Sequence, residues 1–162
     1  ICKLINFYPY RMDEHLPNFF YILIELLFIT IFGDILFNLL HRLFHTPILY
    51  KRFHKKHHEY RYTFALVHHY VHDLEAFLFL FPPLIPPLVL NSHIIVMWLW
   101  MIIAQLTGAI GHSGYKIPFS KFLPTLTPEY HDIHHYEYNK NFGLMYTWIE
   151  KLFGSYSDGS TH

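Results

Sequence analysis

The sequence predicts an all-α protein: an integral membrane helical bundle with cytosolic histidine-bearing helices forming a di-metal site. Three observations carry that reading. Apolar runs reach bilayer length, basic residues gather in two stretches around them, and histidines recur at helical spacing. The chain has 162 residues, 52% of them apolar and 20% aromatic, with 15 histidines. This length suits one domain, taken as 1–162, and the composition excludes a disordered tail, a fibrous repeat and a disulfide-stapled module. Lys+Arg 12 balance Asp+Glu 12 for a formal net charge of +0, so the total charge implies no nucleic-acid partner. Cys2 is the single cysteine, which excludes an internal disulfide, a thiolate zinc ribbon and ordinary iron–sulfur ligation. Any metal must be held by nitrogen and oxygen.

Three apolar runs define the membrane part despite a mean hydropathy of only +0.19. The first, 16–40, is interrupted only by Glu25 and Asp34 and exceeds the roughly 20 residues that a helix needs to cross a bilayer. The second, 76–90, carries Pro82, Pro83, Pro86 and Pro87. Such kinks are tolerated in lipid when neighbours satisfy the carbonyls they free. The third, 93–110, pairs with the second as a hairpin turned at Asn91 and Ser92. The first residues lack the basic, apolar and small-residue succession of a secretion leader, so none is expected there.

Ten of the twelve Lys and Arg lie in two stretches. Arg42, Lys51, Arg52, Lys55, Lys56 and Arg61 precede the hairpin; Lys116, Lys121, Lys140 and Lys151 follow it. A hairpin returns the chain to the side it left, so both stretches face the cytoplasm under the positive-inside rule. The histidine-bearing arms, 41–72 and 112–158, then share that side. A soluble bundle with greasy core helices is the alternative, disfavoured by two adjacent runs of this length.

Eight histidines form three groups: His41 and His45; His54, His57 and His58; His131, His134 and His135. Residues at i, i+3 and i+4 share a helix face, with Cβ atoms about 5–6 Å apart, so each group is expected to aim its imidazoles at one point. Clustered imidazoles repel when protonated and strand their nitrogens when buried, and a shared metal centre removes both difficulties. Eight imidazoles exceed what one ion takes, so two ions are the natural count. No H-E-x-x-H motif is present, which argues against a zinc protease. A site beside lipid, facing C–H bonds that need activated oxygen, favours paired iron.

These residues resemble the integral-membrane fatty acid hydroxylase and sterol desaturase superfamily, and within it the C-4 methylsterol oxidases. Beyond the histidines, HKKHHEY at 54–60 is similar to the family's H-K-x-H-H-E-[YF], and Tyr70-Val-His72-Asp-Leu-Glu75 to its Y-A-H-P-L-E. Gly111-His112-Ser113-Gly114-Tyr115 matches an H-S-G-Y segment. Asn141-Phe-Gly143, Trp148 and Leu152-Phe-Gly154-Ser-Tyr156 resemble the family's ending. The likeness runs from about Asp34 to Asp158. It implies an endoplasmic reticulum oxygenase holding two Fe ions, with zinc able to occupy the same ligands in an isolated preparation. Such an enzyme oxidises a sterol-like or acyl lipid with electrons from a cytochrome b5-type donor. The implied ligands are His41, His45, His54, His57, His58, His131, His134 and His135, with His72 and His112 as further members. Asp73 and Thr63 stand where the family has Pro, and His68 and His69 where small or acidic residues are usual.

Asp34 and Glu75 are each expected to accept from a ligand imidazole or to pair with a nearby cation. Asp132 points away from the ligand face. Asn141 and Gly143 suit a turn ending the third group's helix. His15, His93 and His162 are structural, and His68 and His69 are unassigned. The function implied is oxidation of an unactivated lipid carbon with O2. Desaturation, fatty acid or sphingolipid hydroxylation, and zinc-dependent hydrolysis are the enzymatic alternatives, and metal binding or transport the non-enzymatic one.

Overall fold

The computed structural model describes residues 10–13, 15–115 and 128–160. Cys2, Lys116, Lys121, His162 and the opening residues where a leader was sought lie outside them. Among the described residues there are seven α-helices and no strand: α1 Phe19–Phe44, α2 Pro47–Arg52, α3 Asp73–Leu78, α4 Phe81–Val89, α5 Ile94–Gly111, α6 Pro128–Glu137 and α7 Trp148–Phe153. Two 3-10 turns, His54–Glu59 and Ala65–His69, lie between α2 and α3.

α1 begins where the Asn18 side chain accepts from the Phe20 N–H at 2.9 Å. It runs unbroken for 26 residues because no Pro or capping signal interrupts it, and it ends ahead of Thr46-Pro47, where the proline disfavours helix at the residue before it. Its buried stripe is polar: Glu25, Thr30, Asp34, Asn38 and His41 point inward. Phe20, Leu23, Ile24, Leu27 and Phe28 point outward and are exposed. α5 likewise exposes Trp98, Ile102 and Leu106 while burying Trp100, Ala104 and Gly108. Polar side chains inward on α1 and large apolar ones outward on both helices depart from the soluble pattern and suit a lipid surround. α1 and α5 are each long and apolar enough to cross a bilayer.

The run 76–90 is not one unbroken helix. It breaks between α3 and α4 because Pro82 and Pro83 start a new helix. α4, nine residues long, rises only about 13 Å, far short of a hydrocarbon core of about 30 Å. Within α4, Pro87 has no N–H to offer the Pro83 carbonyl four residues back. The Trp100 indole N–H on α5 donates to that carbonyl instead, at 2.8 Å. The turn into α5 uses Asn91 at φ 48°.

The core is Ile29 of α1 against Val96, Trp100 and Ala104 of α5. Gly33 permits this approach, since a Cβ there would lie 2.8 Å from Trp100 Cζ2. The C-terminal segment is tied to α1 by Arg42, which donates to Asn38 Oδ1 and Glu150 Oε2, both at 2.7 Å, and to Ser155 Oγ at 2.5 Å. Arg42 also stacks on Phe142 and Phe153. α6 ends at Glu137 with Tyr138 at φ 62°, and Asn141 takes φ 54°. Gly143 is required for a different reason from the turn expected: a Cβ would meet the Tyr146 carbonyl oxygen at 2.9 Å.

Candidate metal centre

The C-terminal end of α1, the turn His54–Glu59, the residue after α5 and the middle of α6 meet at one end of the bundle. Nine of the described histidines converge there in two groups. One holds His41, His45, His54, His58 and His134; the other holds His57, His112, His131 and His135. Within each group one ring nitrogen per residue lies within 4.8 Å of all the others.

The three stretches of sequence do not map one to one onto these groups. The i, i+4 pairs stay together: His41 with His45, His54 with His58, His131 with His135. The i+3 members, His57 and His134, cross to the other group. Consecutive residues on a helical turn point about 100° apart, so His57-His58 and His134-His135 each serve both groups. The expectation that each stretch aims at one point is corrected accordingly.

The spacings fit metal ligation. His54 Nε2 lies 3.1 Å from both His41 Nε2 and His58 Nε2, and His58 Nε2 lies 3.3 Å from His45 Nε2. In the second group, His57 and His112 approach to 3.3 Å and His131 and His135 to 3.1 Å. Nitrogens about 2.1 Å from one cation sit roughly 3.0–3.4 Å apart in octahedral or tetrahedral shells. His134 Nε2 is fully buried without a hydrogen-bond partner among the described residues, as expected of an atom suited to ligate a metal.

The outer nitrogens set the tautomers. Nδ1–H of His41 donates to the Phe142 carbonyl at 2.7 Å, His112 to Gly108 at 2.7 Å, His134 to Lys140 at 2.6 Å and His135 to Tyr60 at 3.0 Å. His54 Nδ1 donates to Glu75 Oε1 at 2.5 Å. Each bond leaves an Nε2 lone pair facing inward. Burial, reinforced by neighbouring imidazoles, pushes the His45 pKa down to about 2 and that of His112 down to about 3. Burial takes His135 down to about 4, and holds His57, His131 and His134 well below the usual range. These rings are neutral at physiological pH and free to ligate.

His72 is not brought into either group: its Nδ1 caps α3 by accepting from Leu74 N–H at 3.2 Å. Among the described residues Asp34 accepts from no imidazole and pairs with no cation. It takes the backbone N–H groups of Leu144, Met145 and Tyr146 at 2.9, 2.8 and 3.3 Å, fixing the loop whose Phe142 carbonyl orients His41. Asp132 accepts from Thr63 Oγ1 at 2.6 Å rather than facing only solvent. His93 caps α5. Sequence spacing missed His112, which has no histidine at helical distance and was indicated only by the H-S-G-Y likeness. The carbonyls holding the outer nitrogens leave no sequence signal.

Beside the groups lies a cavity of about 260 Å³ whose walls are mainly apolar, among them Phe37, Val71, Phe79 and Trp100. His41, His54, His57, His112 and His131 also line it, so a molecule inside would touch both groups.

The fatty acid hydroxylase family model matches residues 26–155. Methylsterol monooxygenase 1-3 of Arabidopsis thaliana is 37% identical over 70 residues, covering 40% of this chain and 24% of that protein. A very-long-chain aldehyde decarbonylase of Oryza sativa subsp. japonica is 36% identical over 70 residues, 40% of this chain and 23% of the relative. Methylsterol monooxygenase 1 of Danio rerio is 34% identical over 79 residues, 46% and 26% of the two lengths. The aligned stretch thus spans about a quarter of these relatives. No solved structure matches.

Proposed function

The chain belongs to the fatty acid hydroxylase family, and on that premise we propose that it is a membrane di-iron oxygenase. In this reading it oxidises an unactivated carbon of a sterol or related lipid with O2 and electrons from a cytochrome b5-type donor. The observation that carries the proposal is the pair of imidazole groups opening onto one apolar cavity. Bound iron would supply the oxygen activation and one-electron chemistry that no side chain here provides.

The chain's own residues do the rest. Nine imidazoles held neutral by burial, with His41, His54, His112, His134 and His135 oriented through Nδ1, would hold the two ions. Glu75 anchors His54 from outside. The cavity excludes water and holds the lipid so that one carbon lies against the His41, His57 and His112 side of the wall. Likeness to both methylsterol monooxygenases and an aldehyde decarbonylase makes the lipid the open variable, and either substrate would use the same architecture.

Lys51, Arg52 and Lys55 are exposed at the metal end, next to His54. Under the positive-inside rule this end faces the cytoplasm, in keeping with a multi-pass protein of the endoplasmic reticulum membrane. The same patch suits an acidic electron carrier.

The test is product analysis with the purified chain in lipid discs, loaded with iron and given a 4-methylsterol, a long-chain aldehyde or a fatty acid. Oxidised lipid formed only with both O2 and reductant is expected. Stoichiometric metal uptake with no oxidised product from any of the three would overturn the reading.

A further inference from the structure

Some polar residues of the mainly apolar cavity wall have no part in either imidazole group, and two of them meet each other. His68, from the 3-10 turn Ala65–His69, and Gln105, from α5, both line the cavity, and His68 Nε2 lies 3.3 Å from Gln105 Oε1. We propose that His68 and Gln105 form a hydroxyl-binding subsite that holds the alcohol group of a lipid beside the four-histidine group; this rests on the lipid-oxidising reading of the cavity.

The ring is seated closely. It lies over the backbone of Gly108, where a Cβ would come 2.1 Å from His68 Cε1. Gly108 therefore admits an imidazole that any larger residue would displace. Burial pushes the His68 pKa down to about 4, so the ring is neutral. With its proton on Nε2 donated to Gln105 Oε1, Nδ1 is left as an acceptor and the Gln105 amide nitrogen as a donor. Among the described residues neither atom has a hydrogen-bond partner. Thr107, another polar residue of the wall, spends its hydroxyl on the Ile103 carbonyl at 2.8 Å.

One free acceptor beside one free donor matches a hydroxyl group, which accepts from the amide and donates to the imidazole. An ether oxygen meets only the donor, an ionised carboxylate brings no proton for Nδ1, and a hydrocarbon meets neither. A glutamine on a bilayer-length apolar helix is costly unless it is used, which favours a ligand there. The His68 ring centroid is 5.4 Å from that of His112. A hydroxyl held by His68 thus sits about one imidazole from the second group, which places the oxidised carbon within a few bonds of the alcohol rather than at the far end of the lipid.

The test is lipid binding by the metal-loaded chain in lipid discs, followed by intrinsic fluorescence, with Trp100 as the reporter in the cavity wall. The probes are cholesterol and 1-octadecanol, each against its methyl ether. The native chain is expected to bind one of the alcohols about tenfold more tightly than its ether. The preferred alcohol tells a sterol source from an acyl one. His68→Leu and Gln105→Leu should each remove that preference with metal content at the native level, and His68→Gln should retain part of it. Equal affinity of the native chain for both alcohols and their ethers, including no binding, overturns the subsite. So does a preference that survives both leucine variants. An intact alcohol preference in a chain that oxidises no lipid would instead count against the oxygenase reading and leave the subsite standing.

Discussion

His54 and Glu75, 21 residues apart, meet as a buried pair with Nδ1 and Oε1 2.5 Å apart. Glu75 is 2% exposed and its second oxygen has no hydrogen-bond partner among the described residues. Burial pushes its pKa up to about 7. A cation on His54 Nε2 would draw the pair towards imidazole donor and ionised carboxylate, so the carboxylate and the metal support one another. Glu75→Gln keeps the shape and loses the charge. It should weaken metal binding about 10–100-fold, measured by competition with a chelator. Native affinity in this variant would remove Glu75 from the site.

His57→Ala and His134→Ala each take one ligand from a different group. Elemental analysis should find about one ion per chain in each variant against two in the native protein, with lipid oxidation lost in both. Two ions per chain in either variant would show that the residue is no ligand.

Asp34→Ala strips the acceptor from three backbone N–H groups at 144–146 and unlatches the loop that carries Phe142. Hydrogen bonds to a charged acceptor contribute about 1.5–3 kcal/mol each, so a loss of at least roughly 3 kcal/mol is expected, read as a lower unfolding midpoint in detergent. Because the Phe142 carbonyl orients His41, metal affinity should fall as well. An unchanged midpoint would contradict the latch.

Acid should destabilise the metal-free chain. The unfolded chain protonates its histidines near pH 6.5. The folded chain withholds protons from His135, His112 and His45 down to about pH 4, 3 and 2. The unfolded state therefore binds more protons below pH 6.5, and the stability present above that value is lost as pH falls. The slope is up to about 1.4 kcal/mol per pH unit for each such histidine. Glu75, between its ordinary 4.5 and about 7, and Asp132, whose pKa burial also raises, work in the opposite sense, fewer groups than the buried histidines. Thermal midpoints measured from pH 8 to 5 should fall, and bound metal should flatten the curve. A midpoint that rises on acidification would contradict buried, neutral imidazoles.

Much of the site was legible because helical spacing acts over four residues. The pairs His41/His45, His54/His58 and His131/His135 could be read as shared faces from the chain alone, and the structure joins each pair within one group. Glu75 was legible as a partner for an imidazole through the motif around it. Asp34 was misjudged because its acceptors' partners are backbone N–H groups 110–112 residues away, which carry no residue-type signal. The run 76–90, read as one kinked stretch, forms two helices because consecutive prolines restart a helix, a break whose position hydropathy does not encode.

The order of residues by itself determined a helical chain with apolar runs of bilayer length and imidazoles clustered in three local sets, since periodicity and hydropathy are short-range properties. Only the tertiary structure decided which imidazoles meet. The sorting of His57 away from His58 and of His134 away from His135, the recruitment of His112, and the exclusion of His72 depend on segments brought together across more than fifty residues. That convergence is set by Trp100 packing on Gly33, by Arg42 holding Glu150 and by Asp34 capturing the loop at 144–146. Contacts between distant segments follow from how whole helices fill space, and no local pattern encodes them.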